Sequence, residues 1–270
     1  MGSCNDPTMS TIGDLSMSRS VTQIKTRDGQ SEASVFHPDS GKGPWPAVLV
    51  YMDGRGIRPA LFELGERIAQ AGYFVLLPDL FYRGGKYQAP DAKRFSEDEE
   101  FRNNWRSKYM ATATKANIQS DTESFLSFLA GRPDVSSLAI GTTGYCMGGG
   151  LSLAAAGNFP DRVIAAASYH GGNLATEADD SPHRLASRIK ARVYVAGAVE
   201  DPSFSDEQKQ LLIDTLKAAK VNHTVETYAG AKHGWVPSDS AVYNRDASER
   251  HYQTLIALFD ATLKNAPRKS

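Results

Sequence analysis

Between Ala47 and Ala229, short and largely apolar runs alternate with longer segments that read as helices, and this alternation leaves few folds open to the chain. The runs are AVLVYM (47–52), YFVLLPD (73–79), SLAIGTTGY (137–145), RVIAAASYH (162–170), ARVYVAGAV (191–199) and HTVETYA (223–229). Strands buried on both faces read this way. The segments between them carry helix signals. In PALFELGERIAQAG, Pro59 suits the first helical turn and Gly72 the end. SEDEEFRNNWRSKYMATA and TKANIQSDTESFLSFLAGR predict two helices, and MGGGLSLAAAGNF, SDEQKQLLIDTLKAAK and NRDASERHYQTLIALFDATL predict three more. Strand and helix in turn predict an α/β fold, a largely parallel sheet with helices on both faces. Ligands in such sheets bind beyond the carboxyl ends of the strands, so chemistry is expected in the loops that follow them.

Ahead of this region, VTQIKT and SEASVFHP flank Asp28-Gly29, a hairpin signal. Residues 1–20 are polar and lack the hydrophobic core of a secretory signal, so they are expected to be a mobile tail before a single domain over 21–270. No run is long enough to span a membrane. Lys plus Arg number 30 against 31 Asp plus Glu, a formal charge of -1 that argues against nucleic acid or an anionic membrane as partner. The two cysteines, Cys4 and Cys146, make a disulfide framework unexpected and fit a reducing, cytoplasmic setting. No histidine or cysteine cluster has metal-ligand spacing, so neither metal nor organic cofactor is expected. A monomer or homodimer is anticipated.

Cys146 stands within GTTGYCMGGG, directly after a strand pattern and directly before a helical one. Gly144-x-Cys146-x-Gly148 has the spacing of a nucleophile elbow with sulfur in place of the hydroxyl. A sharp strand-to-helix turn exposes the side chain, and flanking glycines let strand and helix come close. The helix start favours a thiolate, and the Met147 amide would point where an oxyanion develops. An inert, buried cysteine in a glycine-rich helix start is the bland alternative.

In an elbow fold the acid and then the histidine follow the nucleophile along the chain. His233, in YAGAKHGWVP, follows a strand pattern and is the candidate base. His170, in SYHGG, also follows a strand, but the acid must come between nucleophile and base. His37, His183, His223 and His251 read as structural or solvated. Glu200 and Asp201 compete as the acid in AGAVEDPSF, with Asp201 preferred. The second oxyanion donor is expected in YMDGRGIRP, where Gly54 offers an unobstructed amide. Asp53 beside it reads as a helix cap or as a carboxylate facing the thiol, and Arg58 before Pro59 as one half of a structural ion pair.

GYCMGG, then VED, then AKHGW resemble the dienelactone hydrolase (carboxymethylenebutenolidase-like) family of α/β-hydrolases, and PAVLVYMDGRGIRP, AGYFVLLPDLFYR and SYHGG before DSPH are similar to further segments of it. The resemblance runs from about Val21 to the end. It implies an α/β-hydrolase fold, Cys146 as nucleophile with Asp201 and His233 as partners, and a small-molecule ester or lactone as substrate. It also implies an acidic residue where Asp53 stands and a carboxylate-binding arginine where Arg83 stands. A second such arginine, shortly after the histidine, is absent from HGWVPSDS. A clamp reduced in this way would hold dienelactone poorly, which directs the expectation to another ester or lactone. Tyr82, Trp105 and Trp235 are candidates to line the pocket, with core packing as their alternative. A catalytically silent scaffold that binds ligands or senses redox state through the thiol is the competing reading. Whether residues 84–117 form a lid is left open by the sequence.

Overall fold

The computed structural model describes residues 19–269 apart from positions 40 and 42. Most of the expected tail, with Cys4, therefore lies outside the described residues. Arg19 and Ser20, assigned to that tail, already belong to the first strand, where they pair with Phe36 and Val35. Strands β1 (Arg19–Thr26) and β2 (Gly29–Phe36) form the hairpin around Asp28-Gly29.

Six further strands follow: β3 (Ala47–Tyr51), β4 (Phe74–Pro78), β5 (Ile140–Tyr145), β6 (Val163–Tyr169), β7 (Arg192–Gly197) and β8 (His223–Thr227). They extend one sheet in the order β1-β2-β4-β3-β5-β6-β7-β8. Pairing is antiparallel from β1 to β2 and from β2 to β4, and parallel across the rest. β3, β4 and β5 are buried at every position, as strands covered on both faces must be.

The helices are α1 (Pro59–Gln70), α2 (Ala92–Glu97), α3 (Glu99–Lys108), α4 (Lys115–Gly131), α5 (Met147–Asn158), α6 (Asp206–Ala218) and α7 (Arg245–Thr262). Where one helix was expected over residues 96–113, the structure has the end of α2, then α3 and a 3₁₀ turn. Asp98 is the reason. Its backbone is extended and its carboxylate accepts from the Phe101 amide, so it closes one helix and starts the next. Thr114, Ser205 and Asn244 start α4, α6 and α7 in the same manner. Helix α5 has no such side-chain cap, because the residue before it is Cys146.

β5 lies between β3 and β6, and α5 leaves its end at very close range. A Cβ on Gly144 would lie 1.9 Å from the Gly148 carbonyl oxygen, and one on Gly148 would lie 2.3 Å from the Tyr51 carbonyl oxygen. Both clashes are with backbone, which cannot swing aside. Gly150 differs, since its Cβ would meet side-chain atoms at 3.6 Å. Gly144→Ala is expected to cost about 3 kcal/mol in urea unfolding, while Gly150→Ala should be neutral or stabilising by up to about 1 kcal/mol, the helix-propensity gain.

Candidate active site

The parallel strands end on one edge of the sheet, and the loops there carry the candidate residues. Cys146 follows Tyr145 at the end of β5 and has φ 55° and ψ -115°. A non-glycine residue in this conformation is strained and needs support from its surroundings. The Cys146 amide donates to the Tyr169 carbonyl (3.2 Å) and to His170 Nδ1 (3.1 Å) at the end of β6. On the other side, Gly148 presses against the end of β3.

His233 Nε2 is 3.0 Å from Cys146 Sγ, and His233 Nδ1 is 2.7 Å from Asp201 Oδ2. Loops after β5, β7 and β8 thus bring thiol, carboxylate and imidazole into one chain of hydrogen bonds. Asp201, whose side chain is 1% exposed, makes the contact, while Glu200 is exposed. The other Asp201 oxygen accepts from the Ser203 amide (2.9 Å) and hydroxyl (2.6 Å). Ser203 was not singled out from the sequence. The signal available was its place two residues after an aspartate at a turn, where the aspartate bonds backbone two residues on.

The electrostatics follow from this packing. Burial acts to raise the Asp201 carboxyl, but hydrogen bonds from His233 and Ser203 outweigh it and hold the group down at about 2. Burial likewise opposes charge on His233, yet Asp201 and Cys146 raise its imidazole to about 10. An imidazolium here has its Nδ1 against the Asp201 carboxylate and its Nε2 against the Cys146 sulfur.

His170 lies against this centre with φ 40°, its ring centroid 5.4 Å from that of His233. Burial and then the nearby His233 push it well below the ordinary histidine value. It is neutral, and since Nδ1 accepts from Cys146 the proton sits on Nε2. Trp235 is wholly buried behind it, packed edge-on to His170 and stacked on Tyr228.

Asp53 and Gly54 follow β3. The Asp53 carboxylate is neither a helix cap nor bonded to the thiol. Arg58 holds both its oxygens, at 2.7 and 2.8 Å, and the Arg55 amide donates to one of them at 2.9 Å. Arg58 also reaches Asp239, so it is the structural ion-pair partner the sequence suggested. A cavity of about 270 Å³ opens over Cys146 and His233, walled by Asp53 and Gly54, by Pro237 and Val242, and by Phe95, Arg106 and Met110 from the segment 91–114. That segment, α2, α3 and the turn after them, covers the site. Arg55 is paired with Asp239 and with the Pro90 carbonyl. Arg106 on the same wall makes no hydrogen bond or ion pair among the described residues.

Four expected substrate contacts stand elsewhere. Arg83 gives its guanidinium to both oxygens of buried Asp121, at 2.7 Å each, and to Asp28 at 2.8 Å. Tyr82 bonds Thr26 (2.7 Å) and Asp121 (2.9 Å). These two residues lie toward the β1–β2 hairpin and, like Trp235, do not line the cavity. Trp105 does not line it either; its indole donates to the Gly54 carbonyl. Among the described residues, no group of three His, Cys, Asp or Glu side chains could hold a metal ion, and no helix is long and apolar enough to cross a membrane.

A mostly parallel eight-stranded sheet with an elbow after its fifth strand defines an α/β-hydrolase fold. The chain belongs to the dienelactone hydrolase family, whose sequence profile matches residues 32–263, and is a hydrolase of the lactone and ester type. A Synechocystis protein provisionally named carboxymethylenebutenolidase is 27% identical over 225 residues, 82% of this chain and 88% of its own. A provisionally assigned dienelactone hydrolase of Klebsiella pneumoniae superposes with a TM-score of 0.78 at 21% identity, covering 91% of this chain and 99% of that one. A dienelactone hydrolase-like promiscuous phosphotriesterase from metagenomic libraries gives 0.74 at 22% identity, covering 91% and 98%. These two structures share the fold.

The titration of His233 checks the electrostatics. In the wild type its imidazole should stay protonated until about pH 10, as followed by NMR. Cys146→Ala removes one of the two groups that raise it, so the titration should move to lower pH. With a folded value above the ordinary 6.5, the His233 contribution to stability is complete below 6.5 and lost as pH climbs through about 10. The Asp201 contribution is present above its ordinary 3.8 and lost as pH falls through about 2.

Proposed function

We propose that the chain hydrolyses a carboxylic ester or lactone through Cys146, His233 and Asp201. The observation that carries this reading is the unbroken Sγ–Nε2, Nδ1–Oδ2 chain at 3.0 and 2.7 Å, set on a strained elbow at the floor of a cavity. The Cys146 thiolate attacks the ester carbonyl, forming a C–S bond. The resulting oxyanion is held by the amides of Met147, at the free start of α5, and Gly54. His233 gives its proton to the departing alkoxide as the C–O bond breaks, leaving a thioester. Water then attacks, His233 takes its proton, and the C–S bond breaks to release the acid and restore the thiolate. Asp201 holds His233 in the required tautomer and orientation throughout.

Arg106 refines the substrate class. Its neighbours Arg55 and Arg58 are matched by Asp53 and Asp239, so Arg106 is the uncommitted cation on a wall otherwise supplied by groups such as Phe95, Met110, Pro237 and Val242. A compact, largely apolar ester bearing an anionic group fits that wall.

Turnover of p-nitrophenyl acetate by the purified protein tests the reading. Cys146→Ala and His233→Ala should each lower kcat by about 10³-fold or more, as for other nucleophile and base deletions. Turnover equal to wild type in both variants would exclude the triad. Asp201→Asn should cost far more than Glu200→Gln. Arg106→Gln should raise KM for an ester of a dicarboxylic acid by about tenfold, the worth of one charge-assisted hydrogen bond, and leave p-nitrophenyl acetate unaffected.

A further inference from the structure

We infer that Trp105 is a positioning residue for the oxyanion amide of Gly54; the inference rests on the reading of the site proposed above. Trp105 Nε1–H donates to the Gly54 carbonyl at 2.8 Å, and the bond is buried. Glycine is the residue whose backbone is least constrained by its own side chain, so the direction of the Gly54 amide is set by what grips the peptides on either side. On the Asp53 side the grip is local. The Asp53 carbonyl accepts from the Gly56 amide at 3.2 Å, and its carboxylate is locked by Arg58 and the Arg55 amide. On the far side the Gly54 carbonyl is held from another element, α3, by the indole of Trp105. The Gly54 amide itself donates to no protein acceptor among the described residues, as an oxyanion donor requires.

Trp105 is itself fixed. It is 5% exposed and packs against Tyr109, Tyr87 and Phe81, with ring centroids 4.4, 5.4 and 6.2 Å away. An indole N–H among aromatic rings has no ready alternative partner, and leaving it unpaired would carry its full desolvation penalty. That penalty keeps the bond made. Met110, from the same covering segment, reinforces the grip: a Cβ on Gly54 would lie 2.9 Å from its terminal methyl. The cover thus does more than close the cavity. Through one hydrogen bond it holds the peptide that follows Gly54, so that the amide assigned as second oxyanion donor is gripped from both sides, while the next residue along α3, Arg106, lines the cavity.

The test replaces Trp105 with 3-benzothienylalanine, in which sulfur takes the place of N–H at nearly unchanged shape, and with Phe as a second variant. Two rates are measured: hydrolysis of p-nitrophenyl acetate, and alkylation of Cys146 by iodoacetamide, which passes through no oxyanion. The expected result is a kcat lowered by about tenfold or more, as when an oxyanion donor is weakened, with KM and the alkylation rate unchanged. An unchanged kcat in the benzothienyl variant would overturn the inference. So would a parallel fall in both rates, since Trp105 would then act on the thiol or on the fold. Failure of the underlying reading looks different: wild-type hydrolysis would survive Cys146→Ala.

Discussion

The approach of α5 to β5 is the constraint on which the site depends. At Gly144 and Gly148 strand and helix are closer than any side chain permits, and this closeness makes the chain turn within one residue. Cys146 is that residue, and it bears the resulting positive φ. Such a conformation persists only where neighbours over-determine it. Here β3 braces the helix start through Tyr51 and Met52, and β6 receives the Cys146 amide through Tyr169 and His170. Three adjacent parallel strands therefore hold one thiol in place. The sheet order puts β5 between β3 and β6, so both neighbouring strands reach the elbow.

Once the thiol is fixed, charge decides the rest. A buried carboxylate is costly unless its hydrogen bonds are filled. Asp201 fills them with two donors from Ser203 and one from His233, and so remains ionised. The same bonds stabilise a proton on His233 more strongly than burial disfavours it. His170, bonded to the Cys146 amide and wholly buried without a carboxylate hydrogen-bonded to it, goes the other way and stays neutral. Two histidines on one sheet edge thus take opposite charge states because only one has a carboxylate behind it. Their contacts differ accordingly, His233 bonding the Cys146 sulfur and His170 bracing the Cys146 backbone amide.

What the sequence made legible was local. The elbow spacing, the strand ends and the order of Cys146, Asp201 and His233 are short-range patterns, and those three side chains do meet. The sheet was legible for the same reason, since burial on both faces leaves apolar runs. What could not be read were placements that depend on distant elements. Arg83 follows a strand end as a substrate arginine would, but its guanidinium is captured by Asp121 of α4 and Asp28 of the hairpin. Nothing near Arg83 in the sequence announces either partner. Trp235 follows His233 closely, yet faces the core against Tyr228. Asp98, dividing α2 from α3, was a cap signal inside a charged run, hidden by the helix-forming residues on both sides.

This division between sheet edge and cover has a consequence for how far the family likeness reaches. The sheet edge carries Cys146, Asp201, His233 and Gly54, and geometry leaves those positions little freedom to vary. The cover, segment 91–114, carries Phe95, Arg106 and Met110 and sets the cavity wall. Its helices are short and exposed over much of their length, so side chains there can change without disturbing the elbow. The cavity wall and the hydrogen-bonded chain of Cys146, His233 and Asp201 are thus carried in large part by different elements. Arg83 is committed to Asp121 of α4, whereas Arg106 on α3 lines the cavity without an ion-pair partner among the described residues. The bond from Trp105 to Gly54 joins cover and sheet, since it ties the cover directly to the sheet edge that carries Cys146.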